Sequence, residues 1–153
     1  MKRAVQEAIE RHRRAGREFD AGGVPSFVRE QGTGEPVVLV HGVPTSSYMY
    51  RKLLEPLAAG GLKAVAFDFP GLGLAARPEA FDYSWSGLAR WTGEALDALG
   101  IERCHLVVHD IGGPIGFEWA IRHPNRVGSI TALNTLVDVS AFHRPWSMRP
   151  FSI

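Results

Sequence analysis

The chain has 153 residues, 45% of them hydrophobic and 22% charged, which is the composition of one ordinary globular domain and excludes a chain that is disordered throughout. The formal net charge is +1, and no basic run is interleaved with aromatic residues, so we expect no nucleic-acid partner. A single cysteine, Cys104, excludes an internal disulfide framework and favours a reducing compartment. No stretch reaches the roughly 20 apolar residues of a membrane helix, and the charged N-terminus has no signal-peptide core. We therefore expect a cytoplasmic protein with no membrane contact.

The first 15 residues predict a surface helix. Glu7–Arg11 and Glu10–Arg14 pairs at a spacing of four support its outer face. The basic charge of this segment is typical of a solvated helix face rather than of a membrane or nucleic-acid contact. We divide the chain into this helix (1–15), a core (16–135) and a connection that begins at residue 136 and runs to 153.

The core alternates apolar runs with helical patterns. Runs without polar residues favour strands that are buried on both faces, as in parallel sheets. Strands that alternate with helices predict an α/β fold, with a mostly parallel sheet covered by helices on both faces. The predicted strands are 24–30, 37–40, 64–67, 106–108 and, more weakly, 130–133; the predicted helices are 48–59, 84–99 with Ser84 as N-cap, and 113–123.

The segment after the strand that ends at Val108 carries the sharpest chemical signal. A strand that runs through His109 and Asp110 into two glycines and then a helix has the layout of a nucleophile elbow, with Asp110 at its tip. Gly112 and Gly113 would let the helix pack closely, and the helix N-terminus would favour an ionised carboxylate. The alternative is an N-cap aspartate without catalytic function.

A second loop follows the strand that ends at residue 40. Its sequence is His41, Gly42, Val43 and Pro44, placed like the loop that supplies an oxyanion-hole amide. The backbone N–H groups of Val43 and Ile111 would then stabilise charge on the same oxygen. A plain turn is the alternative. No metal-ligand spacing and no phosphate-binding motif occurs, so we expect neither metal nor cofactor.

Three segments resemble α/β hydrolases of the haloalkane dehalogenase and epoxide hydrolase branch: HGVPTSSYMYRKL, FDFPGLGLAARP and LVVHDIGGPIGFEWAIRHPNRV. The resemblance runs from about residue 22 to about residue 134. It implies that Asp110 attacks a carbon–halogen or epoxide bond and forms an ester on the enzyme, which a histidine and a second acid then help water to hydrolyse. It also implies a small apolar organic substrate, and oxyanion amides at Val43 and Ile111.

The sequence departs from this branch at several positions. Dehalogenases usually have Trp directly after the nucleophile, where this chain has Ile111, and many have Asn where it has Val43. One subgroup places the catalytic acid at the position of Asn134, which we expect to lie at the pocket, as Trp146 would. Compared with the family, we expect a truncated α/β-hydrolase core that lacks the cap, the C-terminal strands and the catalytic histidine.

Two functions of different kinds follow. The first is an aspartate hydrolase that is incomplete as this chain. The second is a catalytically inactive paralogue that acts as a binding or assembly module, since an open sheet edge near Ile130 would favour self-association. An ester hydrolase is disfavoured because it would need Ser or Cys at the position of Asp110.

Overall fold

A computed structural model describes residues 2–138 of the chain. The remainder of the predicted connection, with Trp146, lies outside the described residues. The strands are β1 (Arg17–Ala21), β2 (Val24–Gln31), β3 (Pro36–Val40), β4 (Lys63–Phe67), β5 (Cys104–Asp110) and β6 (Val127–Thr135); the α-helices are α1 (Lys2–Arg14), α2 (Leu54–Ala59), α3 (Trp85–Ala98) and α4 (Gly112–Arg122). Short 3₁₀ helices cover Ser47–Tyr50 and Pro124–Arg126.

The six strands form one sheet in the order β1-β2-β4-β3-β5-β6. The β1–β2 and β2–β4 pairs are antiparallel, whereas β3 pairs in parallel with both β4 and β5, and β5 with β6. The predicted α/β class with a mostly parallel sheet is confirmed. The carboxyl ends of β3, β4, β5 and β6 meet at one edge of the sheet, where open α/β sheets bind their ligands.

Helices cover the sheet on both faces, as predicted. Because successive side chains of a strand point to opposite faces, β3 contributes to both cores. Val37 and Leu39 point to one face and pack with Leu54 of α2. Val38 and Val40 point to the other face and belong to the core under α3 and α4. The largest buried side chains of the core under α3 and α4 are Phe67, Phe69, Trp91, Leu96, Leu106, Ile115 and Trp119. Cys104 is buried in the same core.

The structure differs from the predicted elements at three places. Residues 17–21 form β1, which the sequence analysis missed. The predicted helix 48–59 is divided, because Pro56 has no N–H to donate and fits only the first turn of a helix, so α2 begins at Leu54. The weakly predicted strand 130–133 is longer than predicted, as β6, and seven of its nine residues are exposed rather than buried. None of the described helices is long and apolar enough to span a membrane.

Candidate active site

Asp110 is the last residue of β5, and α4 begins two residues later. Its φ angle is 54°, in the left-handed region that a side chain other than glycine rarely adopts. Such backbone strain costs on the order of 1–3 kcal/mol and is found where function requires it. A strained residue between a strand and a helix is the geometry of a nucleophile elbow, so the predicted elbow has the expected backbone shape.

The carboxylate of Asp110 contacts the loop that follows β3. The Val43 N–H donates a hydrogen bond of 2.8 Å to Asp110 Oδ1. This approach needs a glycine at position 42, because a Cβ there would collide with Cβ and Oδ1 of Asp110. The loop therefore comes close enough for a backbone amide to reach the carboxylate only because Gly42 has no side chain.

β6, the neighbour of β5 on its other side, holds the backbone of Asp110. The Thr135 hydroxyl at the end of β6 donates to the Asp110 carbonyl oxygen at 2.5 Å. The same hydroxyl fills the space next to Gly113, where a Cβ would collide with it. Thr135 was not singled out from the sequence, because its role depends on the pairing of β5 with β6.

His41 is fully buried and uses both ring nitrogens. The Phe69 N–H donates to its Nε2 at 3.1 Å, and its Nδ1 lies 2.9 Å from the Gly42 carbonyl oxygen. A backbone N–H can only donate, so Nε2 is the acceptor and the proton resides on Nδ1. Burial lowers the pKa of His41, which stays neutral although the hydrogen bond to Gly42 and the charges of Asp68 and Asp110 act in the opposite direction. His41 therefore connects two loops and has no free nitrogen to act as a base.

Asp68, directly after β4, fixes the same edge of the sheet. Its buried carboxylate accepts the N–H groups of Ser47 at 2.6 Å and of Leu74 at 2.8 Å. The hydroxyl of Ser26 donates to its carbonyl oxygen at 2.5 Å. A single buried carboxylate thus connects the loops after β3 and β4, a role that the sequence analysis did not assign to it.

The other predicted site residues lie around Asp110 with different degrees of contact. Ile111 is half-buried at the start of α4, and its N–H makes no hydrogen bond to the Asp110 carboxylate. His109 has a buried Nδ1 without a partner among the described residues. Asn134, with a φ of 40°, is exposed next to Thr135, and Pro44 is exposed after a cis peptide bond. Ile111 as an oxyanion donor and Asn134 as a pocket residue stay predictions.

On the part of the chain that the structure describes, two apolar grooves stand out, and neither has Asp110 in its lining. One, of about 580 Å³, lies between α1 and the loops that contain Tyr48 and Leu74. The other, of about 520 Å³, lies between α4 and β6. No cluster of His, Cys, Asp and Glu that could hold a metal occurs within residues 2–138.

Sequence comparison decides to which family this arrangement belongs. The profile of the alpha/beta hydrolase fold matches residues 35–151, which include the β3 loop and the elbow. The chain belongs to the α/β hydrolase fold family. It is 40% identical over 114 residues to an uncharacterized hydrolase of Saccharomyces cerevisiae, covering 73% of this chain and 39% of that protein. It is 36% identical over 127 residues to haloalkane dehalogenase 2 of Mycobacterium tuberculosis, covering 79% and 44%.

A solved structure of the same kind is the epoxide hydrolase of Vigna radiata. It superposes with a TM-score of 0.76 at 28% identity, covering 89% of this chain and 45% of that one. The chain therefore spans less than half the length of these α/β hydrolases, and what it contains is the N-terminal part of their fold.

Proposed function

We propose that this α/β hydrolase uses Asp110 as the nucleophile that opens a carbon–halogen or epoxide bond and forms an alkyl ester on the protein. One observation carries the proposal: a carboxylate on a strained elbow, with one oxygen bound to a backbone amide of the neighbouring loop. Relatives that are named as a haloalkane dehalogenase and an epoxide hydrolase support the same chemistry. A cytoplasmic location stays a prediction.

The two carboxylate oxygens have different partners. Oδ1 accepts the Val43 N–H, whereas no described residue donates to Oδ2. Oδ2 is then the attacking oxygen: it bonds to the substrate carbon while the halide leaves with the electron pair of the broken bond. With an epoxide, the ring C–O bond breaks and the ring oxygen takes a proton from water. The product is an ester whose carbonyl oxygen, Oδ1, already lies at the amide.

Hydrolysis of that ester needs a base to activate water. When water adds to the carbonyl carbon, the charge develops on Oδ1, where the Val43 amide stabilises it. Three of the five described histidines are engaged elsewhere: His41 with two backbone groups, His12 with Ser47, and His105 with Ser129 and Glu35. His109 has a buried Nδ1 without a partner among the described residues, and the His123 ring packs against Trp119. None of the five makes a hydrogen bond to the Asp110 carboxylate. We therefore expect residues 2–138 to provide the first step and not the second.

The two residues proposed to supply oxyanion amides, Val43 and Ile111, both have apolar side chains. Val43 and Ile111 have no side-chain N–H to offer to a halide or an alkoxide. At these two positions we therefore expect slower ester formation than side-chain donors would give.

Intact-mass spectrometry tests the proposal. The protein is incubated with 1-bromobutane or with 1,2-epoxybutane, and an adduct that peptide mapping assigns to Asp110 is the expected result. Asp110→Asn is the matched control, because it keeps the shape of the side chain and removes the attacking carboxylate. An adduct of equal yield on this variant would contradict the proposal. Steady turnover by the wild-type chain would contradict the expectation that residues 2–138 provide only the first step.

The second candidate, an assembly module, is supported by β6. Among the described residues β6 pairs with β5 alone, and its nine residues include no charged side chain to discourage pairing with another chain. Ile130 is 38% exposed on it and lines the neighbouring groove. Light scattering over a range of concentrations tests this function: a dimer that Thr131→Lys converts to a monomer supports it, and a wild-type monomer at all concentrations opposes it.

A further inference from the structure

The carbonyl group of Gly42 accepts an unusual number of hydrogen bonds. His41 Nδ1 lies 2.9 Å from its oxygen, the Thr45 hydroxyl 2.8 Å and the Thr45 backbone N–H 3.1 Å. This carbonyl and the Val43 N–H belong to the same planar peptide unit. Three donors on one end of the unit therefore fix the direction of the N–H at its other end, which contacts Asp110.

The direction of the His41 bond is determined by a second contact. Because Nε2 accepts the Phe69 N–H, the ring proton must lie on Nδ1 and be donated to Gly42. Burial lowers the pKa of His41 and keeps the ring in this neutral tautomer. The His41 ring thus connects Phe69, in the loop after β4, to the Gly42–Val43 peptide unit next to Asp110.

The Thr45 hydroxyl is committed to the same carbonyl. It has one hydrogen, and besides the Gly42 oxygen at 2.8 Å its other neighbour is the Sδ atom of Met49 at 3.5 Å. Sulfur is the weaker acceptor and lies farther away, so the hydroxyl donates to Gly42. Hydrogen bonds in series polarise one another, and donors on the carbonyl make the Val43 N–H a stronger donor.

We propose that His41 and Thr45 are positioning residues that hold and polarise the Gly42–Val43 peptide so that its N–H stays on Asp110 Oδ1. This inference rests on the proposed function in one respect: the hydrogen bond aids catalysis only if Asp110 is the nucleophile. The claim that the donors to the Gly42 carbonyl oxygen control the direction of the Val43 N–H does not depend on that chemistry.

Thr45 offers the sharper test, because it is half-buried and its hydroxyl can be removed without changing the shape of the side chain. In Thr45→Val, we expect the amide proton of Val43 to move upfield in the NMR spectrum and to exchange faster. We also expect butyl-ester formation from 1-bromobutane to slow roughly fivefold, the factor that corresponds to one net hydrogen bond. Thr45→Ser keeps the hydroxyl and should restore both quantities.

A matched control lies in α3, where the buried Thr92 hydroxyl donates to the Leu88 carbonyl oxygen at the same distance, 2.8 Å. Thr92→Val should lower the free energy of unfolding by an amount similar to Thr45→Val. It should leave the Val43 amide proton signal and the rate of ester formation unchanged. A Val43 amide shift that is unaltered in Thr45→Val, or altered equally in Thr92→Val, would overturn the proposal. If Thr45→Val does not fold, Thr45→Ala removes the same hydroxyl with less bulk.

The two proposals fail in different ways. If the wild-type protein forms no adduct with either probe, the assignment of Asp110 as nucleophile fails, while the amide shift still decides whether Thr45 positions the peptide. If the adduct forms at equal rates in wild type and Thr45→Val and the shift is unchanged, the positioning role fails and the nucleophile stands.

Discussion

β3 and β6 are the two neighbours of the strand that bears Asp110, and they differ in almost every physical respect. Four of the five residues of β3 are buried, whereas seven of the nine residues of β6 are exposed. The loop after β3 is fixed by the contacts of His41, Thr45 and Asp68 described above. At the end of β6, the Thr135 hydroxyl donates a hydrogen bond to the Asp110 carbonyl oxygen.

This difference separates two requirements of the site. The carboxylate is oriented from the β3 side, through the Val43 N–H and the close approach of Gly42. The backbone of Asp110 is held from the β6 side, through its carbonyl oxygen. A change on the β3 side should therefore affect chemistry strongly, and a change on the β6 side should affect mainly the local stability of the elbow.

The largest effect is expected for Gly42→Ala. The added Cβ collides with Asp110, so either the loop or the carboxylate must move and the Val43 hydrogen bond is lost. Loss of one oxyanion donor alone typically costs 10²- to 10³-fold in rate, and we expect ester formation from 1-bromobutane to fall by on the order of 10²-fold or more.

Gly60→Ala is the control for this substitution, since the nearest atom to its added Cβ is the Leu57 carbonyl oxygen at 3.3 Å and it lies at the end of α2. Its rate of ester formation should remain within twofold of wild type, an estimate for a site without catalytic contacts. Ester formation by Gly42→Ala at the wild-type rate would show that the β3 loop does not orient the carboxylate.

The two strands also offer a pair of leucines for comparing stability. Leu39 of β3 is completely buried, whereas Leu133 of β6 is 37% exposed. Leu39→Ala should lower the free energy of unfolding by roughly 2–5 kcal/mol, because it leaves a cavity, and Leu133→Ala by less than about 1 kcal/mol. Urea unfolding measures both. A loss for Leu133→Ala as large as that for Leu39→Ala would mean that another chain covers β6 in solution.

Much of the fold could be predicted from the sequence, because a buried strand and an amphipathic helix leave periodic signals. The apolar runs of β3, β4 and β5 and the stripe of α3 are of this kind, and the N-cap hydrogen bond of Ser84 to the Gly87 N–H confirms the predicted start of α3. β1 was missed because its residues 17–21 are mostly exposed and polar, so the hydrogen bonds to β2 determine its structure.

The site was predictable only where its signal is local. A strand, an aspartate, glycines and a helix follow one another in sequence, so the elbow at Asp110 could be predicted. The contributions of Asp68 and Thr135 depend on which loops and strands become neighbours. These contacts span 21 residues for Asp68 with Ser47 and 25 residues for Thr135 with Asp110, and no periodic pattern encodes them.

A pH titration can show how much the stability of the fold around the loop after β3 depends on histidines that are neutral in the folded state. Burial lowers the pKa of both His41 and His12, so the unfolded chain binds protons more readily than the folded one. The stability that this gives is complete well above the ordinary histidine pKa of 6.5 and is lost as the pH falls below it. We expect the free energy of unfolding to decrease from pH 7.5 to pH 5.5, and His12→Gln to reduce that decrease.

Thr92→Val serves as the control for the titration, because it lowers stability without removing a titratable group. Its free energy of unfolding should lie below that of wild type by the same amount at each pH. An equally steep decrease for His12→Gln and wild type would assign the pH dependence to groups other than His12.

The smallest effect is expected on the β6 side, for Thr135→Val. This change removes the hydrogen bond to the Asp110 carbonyl and keeps the bulk beside Gly113, so the free energy of unfolding should fall by about 1 kcal/mol. The rate of ester formation should change less than in Thr45→Val, because the Val43 N–H still binds Oδ1. If Thr135→Val instead slows ester formation more than Thr45→Val does, the left-handed backbone of Asp110, and not the amide of the β3 loop, is what sets the position of the carboxylate.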